Sequence, residues 1–397
     1  MFAVLSAARK RLRLPRFARG AAATLGLIAL AACEPVQIGG VGGGTGPRIN
    51  TSRPVPVALL VPKSDAGAGA VARALENAAR LAVADLDGVQ IDLRVYDTAG
   101  NAATAAAQAQ QAVDAGAKII LGPLFGEAAN AVGVQVADDN VNVLSFSNNP
   151  SIAGGNVFVL GPTFRNTADR LMGFAARQGK QSVTVVYPDN VEGQFGKGAI
   201  EAAAGANGVR VVAAEGFDFS QQGVIAAMPR IAATARQSDA VFLTSNAAGA
   251  LPLLVQLLPE NGISPDATQY IGLARWDVPA QTLSLPGVQG GWFALPDQTR
   301  TANFASRYQG AYGTAPHPLA GLGFDGIAAI GALVGAGKSD ALTATALTQS
   351  SGFQGTGGIF RLRADGTNER ALAVATVRDN KVVILDPAPN RFGTAGF

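Results

Sequence analysis

From residue 55 onward, short apolar runs alternate with Ala-rich stretches whose apolar positions recur at helical spacing, the pattern of a parallel sheet wrapped by helices. The spacing predicts strands at 57–61, 91–96, 118–121 and 141–145, separated by helices at 71–85, 102–114 and 127–138. A second series starts after Gly161-Pro162, with helices at 167–178, 195–207, 222–234 and 249–258 and strands at 182–187, 209–214, 240–244 and 269–272. Two such series in tandem predict an α/β fold of two doubly wound parallel-sheet lobes with a cleft between them. The tail departs from this order: 319–334 reads as a long apolar helix, and 359–362, 371–377 and 382–385 read as antiparallel strands closing an edge. The expected lobe boundaries are 55–161 with 292–350 for the first and 162–291 with 351–390 for the second. No fixed-period repeat is present, which excludes a solenoid.

Charge changes the picture at the N-terminus. The chain of 397 residues has a formal charge of +3, but Arg9, Lys10, Arg11, Arg13, Arg16 and Arg19 lie in a segment without acids. The remainder holds 25 basic residues against 28 acidic ones, a net of −3. Such a body offers no basic face for nucleic acid. The basic run, the apolar run at 21–32 and the small residues before a cleavage point are laid out as an export signal over 1–32; the apolar run is too short to span a bilayer, which takes about 20 residues. Residues 33–54 are rich in Gly and Pro and read as a tether.

Composition excludes several chemistries. The chain has one Cys and one His, so a disulfide scaffold and a Cys/His metal site are ruled out as bases for the fold, and no metal or other cofactor is expected. His317 sits between two prolines, a setting for a turn rather than for a catalytic base. There is no Gly-x-Ser-x-Gly elbow, no phosphate-binding loop and no dinucleotide fingerprint. These observations point away from an enzyme. Polar and aromatic residues instead follow the predicted strands, where open parallel sheets meet ligands: Lys63 and Ser64; Phe125 and Gly126; Ser145, Ser147, Asn148 and Asn149; Phe195; Asn246; Arg275 and Trp276. Each can cap a helix or form a turn, but as a set on one edge they predict a binding cleft.

Leu30-Ala31-Ala32-Cys33 resembles the lipobox of bacterial lipoproteins. The resemblance implies that Cys33 is lipidated and becomes the mature N-terminus, anchoring a periplasmic protein to an envelope membrane; Glu34 after it implies the outer membrane. The folded part, through Val57-Ala58-Leu59-Leu60-Val61-Pro62, Val95-Tyr96-Asp97, Ile120-Leu121-Gly122-Pro123-Leu124, Val143-Leu144-Ser145 and Gly323-Phe324-Asp325-Gly326, resembles the type 1 periplasmic binding proteins of the leucine-binding group. That resemblance implies two lobes closing around a small polar solute delivered to the membrane subunits of an ABC importer. It places Ser145 to Asn149 in the loop holding the solute's carboxylate and amine, and Phe195 as the aromatic covering it. Phe125 or Gly126 stands where a Ser is usual, Asn246 where an aromatic is common, and Ala274 or Arg275 where an acid pairs with the amine. Without that acid a buried ammonium is uncompensated, which is costly.

The chain also resembles the lipoproteins that activate penicillin-binding proteins, through the lipobox, Phe158-Val159-Leu160-Gly161-Pro162-Thr163 and Phe353-Gln354-Gly355-Thr356-Gly357. This resemblance implies a non-enzymatic protein docking on a peptidoglycan synthase, and it is the leading functional expectation, with the solute-binding component of an amino-acid importer as the alternative. In either case Cys33→Ser is expected to abolish incorporation of labelled palmitate and to release the protein from the membrane fraction; continued labelling would exclude Cys33 as the lipidation site.

Overall fold

The computed structural model describes residues 46–393. The expected signal segment 1–32, Cys33 and the tether as far as residue 45 lie outside the described residues. The first lobe begins with β1 (Val55–Val61), α1 (Gly69–Ala84), β2 (Ile91–Asp97), α2 (Ala102–Asp114), β3 (Ile119–Leu121), α3 (Gly126–Gln135), β4 (Asn142–Ser145) and β5 (Val157–Val159). Its five strands are all parallel, in the order β2-β1-β3-β4-β5. Alternation along each strand feeds two cores: Leu59, Leu121 and Leu144 face one apolar cluster, while Leu60, Ile120 and Val143 face the other, against Ala105 and Ala109 of α2 and Val132 of α3. Asn101 starts α2 by accepting a hydrogen bond from the Thr104 N–H at 3.0 Å.

The second lobe continues with α4 (Phe164–Arg177), β6 (Ser182–Pro188), α5 (Val191–Ala206), β7 (Arg210–Phe217), α6 (Gln221–Ala235), β8 (Ala240–Leu243), α7 (Leu251–Glu260), β9 (Gln269–Gly272) and β10 (Trp292–Leu295). Its parallel strands run β7-β6-β8-β9-β10, the same topology as the first sheet. The chain then returns to the first lobe with α8 (Gln298–Tyr312), α9 (Ala320–Gly335) and α10 (Ala344–Leu347), followed by a small sheet of β11 (Phe353–Gly355), β12 (Gly358–Leu362) and β13 (Asn368–Arg370). The final strands, β14 (Ala373–Arg378) and β15 (Lys381–Asp386), extend the second sheet antiparallel beyond β10. Helix α9 lies directly on α1, because a side chain at Gly323 would come within 2.3 Å of the Leu75 carbonyl oxygen. No helix among the described residues is long and apolar enough to cross a membrane.

Two expected boundaries are corrected. Strand 292–295 pairs with β9 and β14 and so belongs to the second sheet, not the first lobe. Residues 353–362, assigned by expectation to the second lobe, bury Phe353, Phe360 and Leu362 in the first lobe's core. The chain therefore crosses between the lobes near 160–163, 296–297 and 371–372, and the later crossings were misplaced because the closing strands serve different cores.

A polar brace holds the crossings together. Asn368 Nδ2 donates to the carbonyls of Val159 and Gly161, each at 2.8 Å, and Arg370 Nη2 donates to the Leu160 carbonyl at 2.6 Å. Arg370 also pairs with Asp325 of α9 at 3.1 Å, and that buried carboxylate accepts the Thr356 N–H at 2.7 Å. On the far side Asn166 Nδ2 donates to the Asn368 carbonyl at 3.0 Å, and Arg170 Nε donates to the Leu372 carbonyl at 2.6 Å. Arg370→Met leaves the Asp325 carboxylate buried without its cation and is expected to lower stability by about 3–5 kcal/mol in denaturant melts, with part recovered by adding Asp325→Asn. A loss below about 1 kcal/mol would place the pair among weak surface bridges instead.

Candidate functional site

In an open parallel sheet, the gap between two strands whose connections leave in opposite directions is a place where ligands can enter. Here those gaps lie between β1 and β3 in the first lobe and between β6 and β8 in the second. The loop after β4 supplies the first lobe's share of the site. Ser145, wholly buried, donates to the Pro123 carbonyl at 3.1 Å and accepts the Ser147 N–H at 3.1 Å; Ser147 Oγ accepts the Asn149 N–H at 3.1 Å; Asn149 Oδ1 accepts the Ser151 N–H at 2.9 Å. This relay of side chains, each bonded two residues ahead, fixes the loop and presents Asn148 and Asn149 outward. Gly126, which opens α3, lies beside it: a side chain there would meet Ser147 Oγ at 3.4 Å.

Asn148 and Asn149 line a cavity of about 1140 Å³ with Val191, Glu192 and Phe195 of α5. The cavity extends along α4, past Phe164, Arg165, Asp169 and Arg170, to the β12–β13 hairpin with Arg363, Asn368, Glu369 and Arg370. Its charges are largely matched in pairs: Arg165 with Asp169 at 2.6 Å, Arg363 with Glu369 at 2.8 Å, Arg170 with Asp386 at 2.9 Å. Burial raises the Asp169 carboxyl above the usual range, more than the Arg165 hydrogen bond lowers it, with the Glu369 charge adding to the rise. At Asp386 burial also acts upward, but hydrogen bonds and charge from Arg170 and Arg177 prevail and hold the carboxyl below its usual range. A second recess of about 30 Å³ adjoins, lined by Asn190, Glu192, Phe219, Ser245 and Asn246 among others.

The expected site residues therefore divide. Asn148, Asn149 and Phe195 share the wide cavity, and Asn246 lines the recess. Ser145, Ser147 and Gly126 support the loop rather than face either cavity. Phe125 caps α3 from an exposed position. The Lys63 ammonium is engaged by Glu76 at 2.9 Å, and the Ser64 N–H by Asp97 at 3.2 Å. Arg275 is held by Asp277 through two bonds at 2.9 and 2.5 Å. Trp276 is corrected outright: it is fully buried in the second lobe's core, 6.0 Å from the Phe293 ring. The α4 and hairpin groups went unseen, since 165–170 and 363–370 meet only through the fold. His317 Nδ1 accepts the Leu319 N–H at 3.1 Å, a turn contact. Among the described residues no group of three or more His, Cys, Asp or Glu is placed to hold a metal ion.

Two similarly wound sheets, each offering its carboxyl end to one shared cavity, define a two-lobed binding protein. Residues 54–381 match the family model described as periplasmic binding protein, and the chain belongs to that family. A search of curated proteins finds no match. Among solved structures, the chain is similar to a putative branched-chain amino acid ABC transporter protein from Rhodospirillum rubrum, at 20% identity and a TM-score of 0.70, covering 84% of this chain and 100% of that one. It is also similar to an ABC transporter substrate-binding protein from Desulfitobacterium hafniense in complex with Leu, at 18% identity and a TM-score of 0.60, covering 84% and 100%. A third is a solute-binding protein from R. palustris in complex with benzoate, at 18% identity and a TM-score of 0.55, covering 85% and 98%. At these identities the likeness is one of fold.

The raised carboxyl of Asp169 has a pH signature. A group whose acidity is weakened by folding stabilises the protein while protonated, and that contribution is lost as pH rises through its folded value. Asp169→Asn is therefore expected to melt progressively higher relative to the wild type as pH is raised from about 4 to about 7. A difference in melting temperature that stays constant over this range would show that the folded and unfolded carboxyls titrate alike.

Proposed function

We propose that the protein is the solute-binding component of an ABC importer, taking amino acids or related small polar solutes. In this reading it works in the periplasm, tethered to an envelope membrane through a lipid on Cys33, and has no catalytic step of its own. The observation that carries the reading is one cavity lined from both lobes, by Asn148 and Asn149 on one side and by Phe195 on the other, in a chain of the periplasmic binding protein family. Amide groups beside an exposed aromatic suit a solute with a polar head and an apolar body. The likeness of the fold to ABC transporter proteins supports the same reading. The other expectation, an activator docking on a peptidoglycan synthase, has its support in the lipobox and the closing strands, and the similar structures described above are transporter proteins.

The test is a thermal melt of the full chain, freed of bound solute by unfolding and refolding, against amino acids, short peptides and aromatic carboxylates. A solute present at about 100 times its Kd is expected to add about 2.7 kcal/mol of stability, and Phe195→Ala is expected to remove most of that gain. If no member of the panel shifts the melt, the importer reading fails and recovery of a peptidoglycan synthase from crosslinked envelopes becomes the deciding measurement.

A further inference from the structure

After β15 the chain leaves the second sheet and turns back toward the first lobe. Its last rung there is Asp386, opposite Val374 of β14. The Asp386 carboxylate is gripped from α4 by Arg170 at 2.9 Å and Arg177 at 2.8 Å, and Arg170 Nη2 donates to the carbonyls of Asp386 and Pro387, each at 3.2 Å. Ala388 still packs against the second lobe's core. Phe392 lies against the other lobe: its ring stands 4.6 Å from the guanidinium of Arg361, which sits in β12 between Phe360 and Leu362, both buried in the first lobe's core.

The seat for that ring is built from fixed parts. Arg361 is held by its edge, through Nε and Nη2 to the Glu369 carboxylate at 2.8 and 2.7 Å and through Nη1 to the Ser350 carbonyl at 3.5 Å, which leaves the flat face of the guanidinium for an aromatic. Beside it Gly352 has a φ of +64°, and a side chain there would come within 2.7 Å of the Phe392 ring and 2.4 Å of the Phe360 carbonyl oxygen. Only glycine suits both the backbone and the ring at that position. The segment between the two anchors has no slack to spare: five residue steps from Pro387 to Phe392 reach no more than about 18 Å even fully extended, and Pro387 and Pro389 fix two of the intervening φ angles. A lobe rotation that draws the anchors apart therefore either stops at the length of the segment or pulls Phe392 off Arg361.

We infer that residues 387–392 are a releasable strap between the lobes, a fourth link added to the three crossings, with the Arg170–Asp386 grip as its fixed end and Phe392 on Arg361 as its latch. Latched, the strap favours the lobe arrangement of this structure; unlatched, it lets the crossings alone set the angle. Anything that draws the lobes away from this arrangement must release the latch, so the strap sets part of the free-energy cost of lobe movement. The inference concerns the lobes themselves and stands independently of what the cavity binds.

Distances between paired spin labels test it, with labels at Asp139→Cys in the first lobe and Glu260→Cys in the second, on the full chain carrying Cys33→Ser and with no solute added. Phe392→Ala is expected to raise the fraction of molecules outside the main interlobe distance peak by about 3–10-fold, and ending the chain after Pro387 is expected to raise it at least as much. Phe392→Tyr keeps an aromatic face for Arg361 and is expected to stay within about 2-fold of the unsubstituted strap. A second pair inside the first lobe, Asp114→Cys with Asp139→Cys, is expected to hold its distance in every variant. Interlobe distributions that coincide with and without Phe392 would overturn the strap. An equal disturbance of the pair inside the first lobe would also overturn it, since Phe392 would then serve that lobe's packing alone.

Discussion

The architecture turns on a few side chains that tie the crossing segments to one another. Backbone passing between lobes leaves the hydrogen-bonded ladders of both sheets, so its carbonyls need partners from elsewhere. Asn368 and Arg370 provide them for Val159, Leu160 and Gly161, and Asn166 and Arg170 link α4 to the third crossing through Asn368 and Leu372. The Arg370 guanidinium is in turn tied to Asp325, almost fully buried in α9. Without this brace, strands roughly 200 residues apart in sequence would meet at the interlobe surface with unpaired carbonyls.

The two sheets share a strand order but engage their polar ends differently. In the first lobe nearly every hydroxyl and amide after β4 is committed to the loop itself, so the surface offered to a solute is Asn148 and the remaining valences of Asn149. In the second lobe the side-chain oxygens of Asn190 and Asn246 are likewise committed, while the buried Ser245 Oγ has no partner among the described residues. A polar residue at a strand end is thus a ligand group only after its local bonds are subtracted. That subtraction sets aside Lys63 and Arg275, whose charges are already answered by Glu76 and Asp277.

Much of the fold was legible because buried parallel strands leave apolar runs and their helices leave helical spacing; β1 is apolar throughout, β6 carries a Val185-Val186 centre flanked by Thr184 and Tyr187, and both are almost wholly buried. The carboxyl-end rule placed Asn148, Asn149, Phe195 and Asn246 at the cavities. It misplaced Trp276, because an aromatic following a strand reads alike whether it turns to the cleft or back onto Phe293. The lobe assignment of 353–370 could not be read either: short alternating strands do not declare which core they cover, and only the burial of Phe353 and Phe360 against the first lobe decides it. The arginines and acids of α4 and the hairpin carried no local pattern, since each finds its role in the cavity wall across the whole length of the chain.

The cavity and the brace are built from the same residues. Arg170, Asn166, Asn368 and Arg370 hold the crossings and also line the wide cavity. A solute filling that space therefore lies against the groups that fix how the crossing segments sit. A ligand shifts a conformational equilibrium only by its difference in affinity for the two states, and such a difference arises where contacts change as the lobes move. Under the solute-binding reading proposed above, this wall, in a cavity that Asn148 of the first lobe and Phe195 of the second also line, is where binding energy and lobe position would be joined.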